Sequence, residues 1–131
     1  MAAGYSGTPQ LKKLGIVAGR TWDVEGRPAG WTFEEEPDTA AAAPTGPVDV
    51  VVAFVRSAAE IVPAYERLER RIRPAGAIWI AWPRKAAGYI SDVDENAIRD
   101  AALARGLVDV KVAAIDTDWS GLKLVWRREM R

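Results

Sequence analysis

The chain has 131 residues, 18 Lys plus Arg against 18 Asp plus Glu, and neither Cys nor His. That length suits one domain, 1–131, with a real hydrophobic core. The missing residue types exclude a disulfide framework, a thiolate nucleophile, a Cys/His zinc site and an imidazole base. The even charge balance carries no basic excess of the kind that a duplex-binding face shows.

The start, Met1 to Gly7, has neither a basic nor an apolar leader region, so no signal peptide is read. No apolar run is long enough for a bilayer, so no membrane partner is expected and the cytoplasm is the default location. Residues 1–8 read as a loose arm. Thr8-Pro9 opens a short helix, with Leu11 and Leu14 facing inward, and Gly15 ends it before the apolar Ile16. Arg20–Glu25 reads as a first strand, because Trp22 and Val24 alternate with Asp23 and Glu25. Gly26-Arg-Pro-Ala-Gly30 is a turn. Trp31–Glu36 is ambiguous between a strand or irregular segment and a short capped helix. The first pair is favoured, since Pro37 cuts the segment short. Asp38–Pro47 is a loop rich in Ala, Pro, Gly and Thr.

Val48–Val55 is β-branched and almost continuously apolar, as in a strand covered on both faces. Ser57 and Glu60 form a capping box for a helix with Ile61, Tyr65, Leu68 and Ile72 on one stripe, kinked or restarted at Pro63. The stretch Gly76–Lys85 re-enters the sheet as a central strand, stops at Pro83 and delivers Arg84 and Lys85 to its C-terminal edge. That strand–helix–strand unit predicts a right-handed parallel crossover. Asp92 with Glu95 caps a further helix running to about Arg105, with Ile98, Ala101, Ala102 and Leu103 inward and Gly106 as its C-terminal stop. Val110–Ile115 is the next strand, Asp116–Gly121 a loop and Leu122–Arg128 a last strand, antiparallel because the connection is short.

This order predicts an α/β fold: a reduced Rossmann or methyltransferase-like sheet with a parallel βαβαβ core, a C-terminal antiparallel hairpin and helices on both faces. Across nearly its whole length the chain resembles a family of small bacterial proteins of unknown function, with a class I methyltransferase-like fold and no established activity. The resemblance rests on Tyr5–Pro9, Lys13–Ile16, Gly26–Trp31, Val48–Val55, Trp82-Pro-Arg-Lys85, Gly106–Lys111 and Trp119–Lys123. This chain departs from the family at Arg84, where a second Lys is common, and at Ala87, where Ser is.

Three groups can carry chemistry. Glu25, Gly26, Gly30 and Glu34 stand where a methyltransferase holds S-adenosylmethionine, but Pro28 replaces the middle glycine and removes an N–H. A structural turn is the favoured reading of the same stretch. Trp82, Arg84 and Lys85 end a sheet strand where ligands bind in open α/β folds, and the two cations suit a carboxylate or phosphate. They also read as a core cap followed by solvated charges. Asp116, Trp119 and Ser120 fall at the same edge, where Asp116 or Asp118 can pair with Arg84 or Lys85 and Trp119 can stack on a flat ligand. Plain turn chemistry explains Ser120-Gly121 as well.

The expectation is a non-catalytic domain binding a partner protein or small ligand, with no catalytic residue and no metal assigned. The alternative is an S-adenosylmethionine-dependent methyltransferase with a degenerate loop. Nucleic-acid binding through Arg127, Arg128, Arg131 and the arginines of the Ser57–Ile72 helix ranks below both. Trp22, Trp31 and Trp126 are expected to be partly exposed, and an edge strand carrying Trp126 offers pairing to a second copy.

Overall fold

The computed structural model describes residues 7–131, so the arm read at residues 1–8 lies almost wholly outside the described residues. Five strands form one mixed sheet: β1 (Trp22–Glu25), β2 (Val50–Phe54), β3 (Ala77–Pro83), β4 (Leu107–Ala114) and β5 (Trp119–Trp126). Their spatial order is β1-β2-β3-β5-β4, which puts β3 at the centre. The first three run parallel, and β5 is antiparallel to both of its neighbours. Three helices accompany them: α1 (Gln10–Leu14), α2 (Ile61–Leu68) and α3 (Glu95–Leu103).

The α/β class and the antiparallel closing pair agree with the sequence reading. The continuous parallel βαβαβ core does not. β4 points the same way as β3, but β5 is inserted between them. The connection from β1 to β2 holds no α-helix, only a single 3-10 turn at Thr39–Ala41. Trp31–Glu36 forms neither strand nor helix. Its polar groups are satisfied over long range instead, with Glu34 N–H donating to Gln10 Oε1 at 2.8 Å and Leu11 N–H to Glu35 Oε1 at 3.1 Å.

Strand alternation sorts the apolar residues into two layers. Val51 and Ala53 of β2, Ile78, Ile80 and Trp82 of β3, and Leu122, Leu124 and Trp126 of β5 meet α2 and α3. Val50, Val52 and Phe54 of β2, with Trp79 and Ala81 of β3, meet Leu14, Ile16, Trp31 and Ile115 on the other side. Each large apolar side chain fully buried is worth about 2 kcal/mol, so β2 and β3, apolar on both faces, anchor the domain. Trp22, Trp31 and Trp126 belong to these layers and are buried, contrary to the expected exposure. Trp126 also lies on an interior strand. The edge strand on that side of the sheet is β4, which a bulge between Asp109 and Lys111 interrupts, and such bulges blunt edge pairing.

Helix ends follow local chemistry. The Ser57–Glu60 capping box is formed, but it opens a 3-10 turn before α2. Pro63 therefore falls in the first turn of α2, where its missing N–H costs nothing. The predicted stripe Ile61, Tyr65, Leu68 and Ile72 is buried, although regular helix stops at Leu68. The cap of α3 is Asp94, which accepts from Ala97 N–H, rather than Asp92. Asp92 instead accepts from Ala58 N–H at 2.8 Å, tying the α3 approach to the start of α2. Leu103, expected inward, is exposed, whereas Ile98 and Ala102 are buried.

β5 begins at Trp119, three residues earlier than the sequence suggests, so Trp119, Ser120 and Gly121 are strand rather than loop. Gly121 explains why the sequence looks like a turn there. A Cβ at this position would lie 2.6 Å from Ile115 Cδ1 and 3.0 Å from the Trp79 ring. The glycine exists to admit a buried indole. Gly121→Ala should therefore destabilise the domain by about 1–3 kcal/mol through overpacking, read as a lowered urea midpoint with an unchanged slope.

Candidate functional site

Because β1, β2 and β3 are parallel, Glu25, Phe54 and Pro83 reach one edge of the sheet together. β5 starts at that edge too, with Trp119 opposite Pro83. The segments leaving these strand ends enclose a cavity of about 560 Å³, bordered by Gly30, Trp31, Arg56, Pro83, Tyr89 and Trp119, with Asp118 at its rim. The C-terminal edge of parallel strands is the usual ligand position in open α/β sheets.

One wall is an aromatic run. Trp31 meets Phe54 edge-on at 4.8 Å between ring centroids, and Phe54 meets Trp119 at 4.9 Å. Asp116 holds this wall in place. Its Oδ2 accepts the Trp31 indole N–H at 2.8 Å, and its Oδ1 accepts the N–H groups of Asp118 and Trp119 at 2.8 and 2.9 Å. The expected ion pair between Asp116 and Arg84 or Lys85 is absent among the described residues, because both carboxylate oxygens are committed to these donors. Arg84 instead donates to the carbonyls of Asp116 and Thr117 at 3.3 Å each, and its N–H to Asp118 O at 2.8 Å. It fastens the loop to the end of β3 and does not border the cavity. Lys85 opens a 3-10 turn, exposed and outside the cavity.

Register decides the remaining sequence candidates. Trp82 and Ser120 are paired across β3 and β5, and Trp82 packs into the α2–α3 layer. Trp119, one residue before Ser120, packs on the opposite layer with Phe54. Of the six residues proposed at this edge, Trp119 borders the cavity, Asp116 positions its wall, and Trp82, Arg84, Lys85 and Ser120 stand aside.

The glycine turn is built for the fold. Gly26 has φ +69°, and a Cβ there would sit 2.7 Å from Phe54 O, so its bare backbone packs against β2. Its carbonyl accepts from Arg56 at 3.2 Å. Glu25 pairs with Arg67 of α2 at 2.5 Å. Gly30, also at positive φ, has open space where a side chain would go and borders the cavity. Glu34 lies in a separate depression with Arg27 and Phe33. Of the four cofactor candidates, Gly30 alone reaches the cavity. The sequence reading overlooked Arg56 and Tyr89. Arg56 directly follows the strongest strand signal, which was the available clue. Tyr89 sits in a loop with no periodicity.

The arginines considered for nucleic acid are already engaged in part. Arg71 of the turns after α2 holds Asp23 at 2.9 Å and the carbonyls of Ala43 and Gly46, and Arg131 donates to Trp126 O. No helix among the described residues is long and apolar enough to cross a membrane.

Comparisons with known proteins add the following. The family model described as "Protein of unknown function (DUF3052)" matches residues 38–128. No curated protein matches. Among solved structures, a protein described as a putative methyltransferase from Thermoplasma acidophilum is similar at a TM-score of 0.45 and 9% identity, over 82% of this chain and 58% of that one. This chain thus spans little more than half the length of that protein.

The Glu34 carboxyl is raised above its ordinary value, first by burial and then by the charges of Asp116 and Glu35. A carboxyl raised on folding binds its proton longer in the native state, so native stability falls as pH rises from the ordinary value through the raised one. Glu34→Gln should melt at the same temperature as the native protein below about pH 4, where both are uncharged. It should melt higher than the native protein near pH 7. Thermal melts at the two pH values check this.

Proposed function

The chain belongs to the DUF3052 family of proteins of unknown function, and we propose that it is a non-catalytic binding domain on a reduced methyltransferase-like scaffold. Its ligand is a small molecule with a flat face and an acidic group, held in the cavity at the C-terminal strand edge. The observation that supports this is the convergence of Trp31, Tyr89 and Trp119 with the Arg56 guanidinium around one 560 Å³ opening. A cavity of that size suits a drug-sized molecule. Aromatic walls take a planar ring, and a guanidinium at the rim pairs with a carboxylate in two-point fashion.

The non-catalytic reading draws support from what the polar groups are already doing. Asp116 already accepts from three N–H donors, Arg84 is bound to carbonyls, and Glu25 is paired. A general acid or base needs a free site within hydrogen-bond reach of its substrate. Among the described residues bordering the cavity, Asp118 and Tyr89 are the titratable oxygens.

A second reading, an S-adenosylmethionine-dependent methyltransferase, is favoured by one feature. Gly30, in the turn that follows β1, leaves backbone open to the cavity, as close approach of a nucleotide requires. Pro28 and the absence of a helix after the turn weigh against it, since no helix N-terminus faces the cavity from there.

Ligand-observed NMR with a panel of aromatic carboxylates, set beside calorimetry with S-adenosylmethionine, separates the two. The binding-domain reading expects several carboxylates to bind. Their affinity should fall at least ten-fold, about 1.4 kcal/mol, in both Arg56→Gln and Trp119→Ala. Binding by none, or binding that ignores both substitutions, overturns it. Saturable micromolar S-adenosylmethionine binding that Gly30→Trp abolishes would establish the second reading in its place.

A further inference from the structure

The formal charge of zero hides a strong segregation. On the side of the sheet facing α2 and α3, the arginines are matched by carboxylates: Arg99 with Glu95 and Asp109, and Arg105 with Glu69. At one place on the α1 side, a face that also carries Glu35 and Asp116, the opposite holds. Lys111 and Lys123 are directly paired across β4 and β5, and Lys123 is also paired with Trp79 on β3. Like charges directly opposed across strands destabilise a sheet. Neither lysine meets a carboxylate among the described residues.

The arrangement is fixed rather than loose. Trp79 is fully buried and donates its indole N–H to Leu14 O at 2.9 Å, which docks α1 over the ring. The Lys111 ammonium lies 6.0 Å from the centre of that ring and donates to Lys13 O at 3.3 Å. Lys13 donates to Ala114 O at 3.0 Å and so stays beside the pair. Burial, then Lys111 and Arg20, hold the Lys123 amine below its ordinary value. Burial and Lys111 do the same to Lys13. Covering Trp79 needs only the methylene stems of these lysines. Concentrating their charges needs a further reason, and an arriving anion supplies one.

We propose that Lys111 and Lys123, with Trp79 beneath them, form a binding site for a compact phosphate group on the α1 side of the sheet, separate from the cavity. The two ammonium groups match the charge of a phosphate dianion, and lysine is a common point-charge partner for phosphate. The aromatic ring under the site is fully buried, so it gives no platform on which a nucleobase can stack. That favours a small phosphate or phosphate ester over a nucleic-acid strand. The site is about 13 Å from Pro83 along β3, counting four residues at strand rise, and is independent of the proposed function.

Calorimetry at low ionic strength with pyrophosphate, phenyl phosphate and sulfate tests this, with an oligothymidylate as a fourth arm. Pyrophosphate should bind one to one. Its affinity should fall at least ten-fold in Lys111→Met and in Lys123→Met, which keep the apolar cover. It should be retained in Lys123→Arg, which keeps the charge, and in Arg56→Gln, which alters only the cavity rim. Phenyl phosphate binding as well as pyrophosphate identifies an ester site, and pyrophosphate alone an inorganic one. In parallel, the side-chain amine signal of Lys123 should titrate at higher pH once pyrophosphate is bound. No binding, binding unchanged in both Met variants, equal affinity for sulfate, or a preference for the oligothymidylate overturns the proposal.

Discussion

The packing of Trp79 is the constraint on which the rest of the molecule depends. The indole is completely buried on the central strand and must satisfy its N–H, which it does at the carbonyl that ends α1. A five-residue helix has no independent stability, so this bond and the burial of Leu14 fix where α1 lies. The ring's bulk then requires Gly121 on the neighbouring strand, and Ile115 fills what remains. Once α1 is docked, Gln10 is buried and bridges two otherwise separate segments, donating to Ile115 O and accepting from Glu34 N–H. One large side chain thus positions a helix, a strand and the irregular segment beside the cavity.

The ion pairs of β1 serve a complementary purpose. This strand has one full neighbour, β2, with a single further bridge from Trp22 to Ala42. Asp23 and Glu25 alternate with the apolar Trp22 and Val24, and Arg71 and Arg67 reach them from α2 and the turns beyond it. Exposed pairs of this kind contribute about 1 kcal/mol or less each. Their importance lies in occupying Glu25 and in giving the strand's polar side a fixed partner. The short edge is thereby covered on one side by charge and on the other by Trp31 and Phe33, which pack edge to face at 4.9 Å.

Legibility in the sequence followed the range of the interactions. The unit from Val48 to Pro83 was readable because an unbroken β-branched run, a capping box and a proline stop are local signals. The placement of β5 between β3 and β4 was not, because nothing local distinguishes an inserted strand from an appended one. The segment after Gly30 stayed open between strand and irregular for the same reason, and it is irregular. Its order comes from Gln10 and Asp116, and Asp116 lies 85 residues from Trp31. At the candidate site the sheet edge was predictable from Pro83, whereas the facing of Trp82, Ser120 and Trp119 turned on strand parity. A start of β5 three residues earlier than expected moved Ser120 to the far side of the sheet.

The segment 27–36, whose stretch from Pro28 to Thr32 borders the cavity, has a consequence for how such a domain diversifies. It contributes no strand to the sheet and no helix to either layer, and it is held by a handful of side-chain contacts to Asp116, Gln10 and Phe54. Substitutions and length changes there alter the opening without disturbing the hydrogen-bonded ladders behind it. The shape of the opening and the sheet behind it therefore sit largely on different parts of the chain. A laboratory library confined to this segment, with Trp31 and Phe33 kept because they pack in the core layer, would vary the opening while leaving the sheet intact.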